Sequence, residues 1–274
     1  MSELKVTLID VGWGDSVLVE STPSHGDKRY AMIDSNDEEN ERTSFTFLKR
    51  FFDREPGNVL SRPRLFDFVI LSHSHSDHGK GLKRIMSRYG TRRFWYPKST
   101  SLGSQADLVR YANRSSKVEH HEAINRGKSL PDLGDAELSV LWPPYNVIDR
   151  HNENNNSIVL EITLGNVSFV LTGDAEGPVW ERIADRIPPD TAFFKVPHHG
   201  SSDATFYQGD TPWLEHCPAG AHLAISCHVK PHNHPHGSVI QEFADQGYPY
   251  YRTDRHYHVT CVTDGTDVRV LYYH

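Results

Sequence analysis

Three cysteines in 274 residues are too few, and at Cys217, Cys227 and Cys261 too scattered, for a disulfide framework or a Cys-x-x-Cys zinc knuckle. They are expected as buried thiols. Long apolar runs are also missing. Nothing approaches the ~20 residues of a membrane span, and the opening Met1-Ser2-Glu3-Leu4-Lys5 has neither the basic nor the apolar region of a signal peptide. A soluble, cytoplasmic chain with no membrane partner is the expectation. Positive charge is in deficit: 29 Lys and Arg against 36 Asp and Glu leave a formal net charge of −7. That does not suggest a broad nucleic-acid-coating surface, although bound divalent cations would offset part of it. No internal repeat, linker or low-complexity tract is visible, and 37% hydrophobic residues suffice for a sizeable core, so residues 1–274 read as a single domain. Nothing in the sequence signals an oligomeric state.

Histidine, by contrast, is abundant at 18 residues. The chain is organised around Leu71-Ser72-His73-Ser74-His75-Ser76-Asp77-His78-Gly79. The apolar run Phe66–Leu71 reads as a core strand leading into it. A strand ending in a tight loop points His73 and His75 at one locus and Asp77 and His78, opening the next helix, at a neighbouring one. Imidazole and carboxylate together suit a hydrolytic pair of divalent ions, zinc first, with manganese or iron as alternatives. A His-rich surface loop is the plain alternative, but such loops rarely follow a buried strand at a fixed His-x-His-x-Asp-His spacing.

Other segments end in similar residues. Lys5–Asp10 and Ser16–Glu20 form a hairpin through Val11-Gly12-Trp13-Gly14-Asp15, and Tyr30–Ile33 is a strand ending at Asp34. Residues 37–42 read as a polar loop, and Ser44–Phe52 as a helix stopped by Pro56-Gly57. A helix spans His78–Tyr89, and a strand Arg92–Tyr96. Lys80, Lys83, Arg84, Arg88, Arg92, Arg93 and Lys98 make the densest positive cluster: either a solvated face or a cradle for a phosphate-rich substrate, with Lys80, Arg92 and Arg93 as its substrate-binding candidates. Residues 99–134 are mixed and polar, with one helix over Gln105–Asn113; His120-His121 reads as surface. Strands follow at Ala136–Trp142, Ile158–Leu164 and Val167–Leu171, the last two joined by a Gly165-Asn166 hairpin turn. That hairpin delivers Gly173-Asp174 ahead of a helix near Glu176. Phe193–Val196 ends in Pro197-His198-His199-Gly200-Ser201. After the strand Ala221–Ser226, His232-Asn233-His234-Pro235-His236 opens a helix over Ser238–Gln246. Strands Tyr250–Thr253, Val259–Val262 and Val268–Tyr272 finish the chain, with Asp264-Gly265 as a turn.

His73-Ser74-His75-Ser76-Asp77-His78 resembles the signature of the metallo-β-lactamase superfamily. Asp10-Val11-Gly12-Trp13-Gly14-Asp15 and Lys195-Val196-Pro197-His198-His199-Gly200-Ser201 are similar to motifs of the ComEC-type competence family within it, with Trp13 where Gln is usual and Asn233 where Gly is usual. The resemblance implies an α/β fold, an αββα sandwich of two mixed β-sheets flanked by helices, holding two divalent metal ions. His73 and His75 would hold one ion, Asp77 and His78 the second with His198 or His199, and Asp174 would reach both. Most members complete the first ion with a third histidine; here the corresponding loop reads Asn154-Asn155-Asn156-Ser157, leaving Asn156 or His151 as candidates. Asp10, Asp15 and Asp34 would support the site, and Ser201 and His236 would contact substrate.

Water between two such cations has its pKa lowered to about 7, so no Ser or Cys nucleophile is needed. The expected function is therefore a metallohydrolase, first a phosphodiesterase or nuclease acting on nucleic acid or nucleotides. Asp77, Asn156 and a protonated His234 are its catalytic candidates, the last donating to the leaving alkoxide. Hydrolysis of cyclic nucleotides, lactones or thioesters is the alternative, and a non-enzymatic sensor on the same fold a third reading.

Overall fold

A computed structural model describes residues 1–37, 43–100 and 103–272; most of the polar loop expected at 37–42 lies outside them. Three strands open the chain, β1 (Glu3–Leu8), β2 (Ser16–Thr22) and β3 (Arg29–Ser35), followed by α1 (Ser44–Phe52), whose Thr43 side chain caps it by accepting from the Thr46 N–H. Next come β4 (Phe66–Ile70), the short α2 (Ser76–Gly79), α3 (Leu82–Tyr89), β5 (Thr91–Tyr96), α4 (Ser104–Ala112) and β6 (Val118–Ala123). The second half holds β7 (Glu137–Trp142), β8 (Val159–Leu164), β9 (Val167–Leu171), α5 (Gly177–Ile183), β10 (Thr191–Lys195), α6 (Ser202–Thr205), α7 (Pro212–His216) and β11 (His222–Ile225). It closes with α8 (Gly237–Asp245), β12 (Tyr250–Arg252), α9 (Thr253–His256), β13 (Val259–Thr263) and β14 (Val268–Leu271).

Two corrections to the sequence reading stand out. The helix expected over His78–Tyr89 is broken into α2 and α3, because Gly81 packs against β3: its N–H donates to the Ser35 carbonyl, and a Cβ there would lie 2.1 Å from Ser35 Oγ. The stretch read as polar and irregular contains β6, an edge strand with little apolar burial.

The strands form two mixed sheets, in the orders β14-β13-β1-β2-β3-β4-β5-β6 and β12-β11-β10-β9-β8-β7. Apolar residues from their inner faces, among them Val6, Val19, Phe68, Ile162 and Phe169, make the central core. A second core joins one sheet to α1, α3 and α4, and a third joins the other sheet to α5, α7 and α8. Sheets inside and helices outside give the αββα sandwich. The three cysteines are free and buried, and burial pushes the Cys217 and Cys227 thiols up to about 12. Among the described residues no helix is long and apolar enough to cross a membrane.

The topology decides where chemistry can sit. β3, β4, β5 and β6 run parallel in one sheet, as do β9, β10, β11 and β12 in the other. Ligands of α/β sheets collect beyond the carboxyl ends of such strands. Asp34 is the penultimate residue of β3, and His73, Asp174, His198 and Ser226 follow strands of these two sets.

Candidate metal centre

Asp174 lies at the centre of the site. Its Oδ2 is 3.2 Å from His78 Nε2, 3.5 Å from His199 Nε2 and 3.9 Å from both His73 Nε2 and His198 Nε2. The residue is buried and sits just beyond β9, where Gly173 takes φ +53 and a Cβ would meet Ser157 at 2.9 Å. Ser157 in turn accepts the Asp174 N–H.

One cluster is Asp77, His78, Asp174 and His199, whose ligand-type atoms lie within 4.8 Å of one another. Each histidine is oriented from behind. His199 Nδ1–H donates to the Ser226 carbonyl at 2.8 Å, which leaves Nε2 free and facing Asp77 Oδ2 at 3.6 Å. His78 Nδ1 pairs with Asp34 Oδ2 at 2.7 Å, while the Asp34 carboxylate also accepts from the Ser72 N–H and Oγ–H. Asp34 is thus spent on anchoring, the arrangement in which a carboxylate fixes a ligating imidazole. Asp15 plays a similar part from the first hairpin. Its Oδ2 pairs with the buried Lys195 ammonium at 2.6 Å. Asp10 accepts from the Gly12 N–H and shapes the turn itself. Gly14 must be glycine: at φ +97, a Cβ would lie 2.4 Å from the Asp77 carbonyl oxygen.

The second group gathers on the other side of the signature. His73 Nε2 and the exposed His75 Nδ1 are 3.1 Å apart. Of the two candidates for completing this set, neither hydrogen-bonds to His73 or His75 among the described residues. Asn156 is buried with both ends of its amide engaged, accepting from the Asp149 N–H and donating to the Asp149 carbonyl and Glu153, bonds that build the loop. His151 is exposed and lines a cleft with Trp142 and Arg182. His198 instead brings an Nε2 to Asp174, and its Nδ1 is 3.1 Å from Glu176 Oε1. Glu176 is gripped by the Nδ2 groups of Asn152 and Asn154 at 2.6 and 2.7 Å. The Asn-rich loop therefore acts on the site through Glu176 and His198.

Charge follows this geometry. Burial opposes ionisation of Asp174, but His78, His199 and His198 outweigh it and hold the carboxyl well below its usual range. Asp77 is lowered in the same way by His78 and His199 against its burial. Burial and the neighbouring His78 drive His73 well down, so it presents a neutral, ligand-ready imidazole. Burial would lower Lys195, yet Asp15 and Asp174 raise it. The donor set suits divalent ions: buried Asp174 Oδ1 and His199 Nε2 find no hydrogen-bond partner among the described residues, as expected of atoms that need a cation.

Around the mouth, His234 is half-buried, its ring 5.6 Å from His198 and 5.5 Å from Trp13. Burial and the imidazoles of His199, His198 and His232 push it down to about 4, so it is neutral near pH 7 rather than the protonated acid expected from sequence. Trp13 lies 4.6 Å from both His199 and His232. Ser201 caps α6 by accepting the Asp203 N–H, and His236 is an exposed residue whose Nδ1 meets Ser238 Oγ. Lys80 follows α2 directly, beside the centre. Arg92 and Arg93 do not join it: they start β5, at the strand ends opposite the metal loop, where Arg92 pairs with Asp67. Lys195, Glu176 and Ser226 were not singled out by sequence. Lys195 sits inside a quoted motif, but only the fold reveals its partner 180 positions away.

The sequence model of the metallo-beta-lactamase superfamily matches residues 5–208. ComE operon protein 3 of Bacillus subtilis (strain 168) is 28% identical over 262 residues, covering 93% of this chain and 32% of its own. The uncharacterized protein YcaI of Escherichia coli (strain K12) is 27% identical over 187 residues, covering 68% of this chain and 22% of its own. The chain thus spans about a third or less of these relatives. Among solved structures, a long form RNase Z from yeast aligns at 13% identity and a TM-score of 0.41, over 71% of this chain and 32% of that one.

Proposed function

The chain belongs to the metallo-β-lactamase superfamily, and on that footing we propose that it is a metal-dependent phosphodiesterase acting on nucleic acid or nucleotides. The observation that carries this reading is Asp174 Oδ2, placed between two sets of imidazoles at 3.2–3.9 Å. His73, His75 and His198 would hold one divalent ion, Asp77, His78 and His199 the other, with Asp174 reaching both. Such a pair lowers the pKa of water and neutralises charge on phosphoryl oxygens. Zinc fits the His-rich donor set best, with manganese or iron as alternatives.

The protein's own groups do the rest. Asp34 and the Ser226 carbonyl fix the ring planes of His78 and His199, and Glu176 lies 3.1 Å from His198 Nδ1, so the ligands need little reorganisation. Neutral His234, half-buried beside His198 and Trp13, offers a ring N–H that can hydrogen-bond a substrate oxygen at the mouth. Lys80, beside the metal loop, supplies positive charge where a phosphate would approach.

Metal-reconstituted protein should hydrolyse bis(p-nitrophenyl) phosphate, and Asp174→Asn should abolish that turnover. Single-stranded DNA, duplex DNA, RNA, a cyclic nucleotide, a lactone and a thioester, assayed in parallel, define the class. Turnover of lactones or thioesters without any phosphodiester would overturn the reading.

A further inference from the structure

Two basic clefts lie outside the ligand cluster, and their chemistry differs. In the cleft at the amino ends of β4 and β5, Arg29 and Arg92 share Asp67, Arg62 meets Asp27, and Arg64 meets Glu119. Carboxylates answer its cations, and it faces away from the metal loop. The other cleft, of about 630 Å³, starts at Ser76 and Gly79 of that loop and runs between α3 and α4. Lys80, Lys83, Arg110 and Arg114 line it, with Tyr111, and the one lining carboxylate, Asp107, is taken up by Arg110 at 2.7 Å. Lys83 and Arg114 are exposed, and neither has a carboxylate partner among the described residues.

This groove is fastened to the metal loop. Ser104, the first residue of α4, donates its N–H and Oγ–H to the Ser74 carbonyl and its Oγ–H also reaches the His75 carbonyl. Both helices lead from the carboxyl ends of parallel strands back to the amino ends of β5 and β6, so both run away from the centre. From Ser104 to Ala112 the helical rise is about 12 Å, and Arg114 lies two residues past the helix end. That is a length a few nucleotides of one extended strand can follow, each with one backbone phosphate. The half-buried Tyr111 ring, with Lys83 Nζ 6.0 Å from its centroid, offers a face on which a base can stack.

We propose that the groove between α3 and α4 is the track for a single nucleic-acid strand flanking the scissile phosphate, with Lys83, Arg110 and Arg114 on the backbone and Tyr111 under a base. This deepens the phosphodiesterase reading and rests on it. A single strand is favoured because only unpaired bases expose faces to an isolated ring set between cations.

The test uses the metal-loaded full chain and fluorescent phosphorothioate oligothymidylate, which keeps its charge and resists cleavage. Anisotropy titrations across about 50–200 mM salt give affinity and slope. Lys83→Ala/Arg110→Ala/Arg114→Ala, all at exposed positions, should keep its circular dichroism and metal content. It should lose at least tenfold in affinity at low salt and about 2 from the log–log salt slope, at roughly 0.7 per phosphate contact. Tyr111→Leu should weaken binding with the slope unchanged, and Tyr111→Phe should restore it. An unchanged slope in the triple variant, no oligonucleotide binding by the wild type, or loss of phosphatidylserine-vesicle binding in place of oligonucleotide binding would each overturn the proposal. Wild-type turnover of bis(p-nitrophenyl) phosphate is read separately: turnover without oligonucleotide binding sinks the groove alone, and groove-dependent binding without turnover sinks the phosphodiesterase reading alone.

Discussion

Glu176 shows how much of the site works through residues that hold other residues. It sits two positions past Asp174, is gripped by Asn152 and Asn154, and sets His198. Glu176→Ala should weaken one of two metal-binding steps by about 10–100-fold while sparing the other, as for lost partners of ligating imidazoles; calorimetric metal titration reads the two steps, and equal weakening of both would refute the division. Lys195 makes a different prediction. Its ammonium and Asp15 are both buried, so Lys195→Met strands a carboxylate and should cost about 3–5 kcal/mol in urea unfolding of the metal-free protein. Neither role was legible in sequence. The His-x-His-x-Asp-His signature was, because its members are neighbours in the chain and spacing alone brings them together. Arg92 and Arg93 show the converse: close in sequence to the basic helix, they sit at the far end of a strand, and chain proximity says nothing about which end.

At the scale of elements, buried strands such as β4 and β9 were readable because both of their faces meet apolar layers. β6 was not. An edge strand with one paired side and exposed residues, including Glu119 and His120, needs no apolar pattern to form. The break between α2 and α3 was equally hidden, since the contact that imposes it, Gly81 on Ser35, is made across the fold. The β13–β14 hairpin carries a local pH signature. The Asp264 carboxylate accepts the N–H groups of Asp267 and Thr266 and the Thr266 hydroxyl, which hold it down to about 2, against an ordinary value near 3.9. Its folded pKa being the lower one, its contribution is present above about pH 4 and is lost as pH falls through about 2. Amide exchange across Val268–Leu271 should therefore show protection that declines over that window, and Asp264→Ala should remove the dependence. A hairpin whose protection is identical in the variant at pH 7 would contradict the assignment.

For the whole molecule, the metal centre is where the two sheets are joined at one edge. Asp34 lies at the end of β3 and His73, His75, Asp77 and His78 follow β4 of the eight-stranded sheet, while Asp174, His198 and His199 follow strands of the six-stranded one. Without cations, that edge brings carboxylates and imidazoles together around Asp174, several of them with unanswered buried atoms. Ions bound there tie one sheet to the other and act only on the folded state. Each site at a free concentration of about 100 times its Kd adds about 2.7 kcal/mol, so two sites add roughly 5. For a chain of this size that corresponds to a rise in Tm on the order of ten degrees. Calorimetric scans with and without a chelator should show the shift. Because the imidazoles of His78 and His199, which the neighbouring carboxylates raise against their burial, must shed protons to ligate, the shift should shrink between pH 8 and about pH 5.5. Asp174→Asn, which removes the charge common to both sets, should reduce the chelator-sensitive part of Tm more than Asp77→Asn, which touches one. A Tm insensitive to chelation in the metal-loaded wild type would mean that the edge holds itself together, and that no cation bridges the sheets.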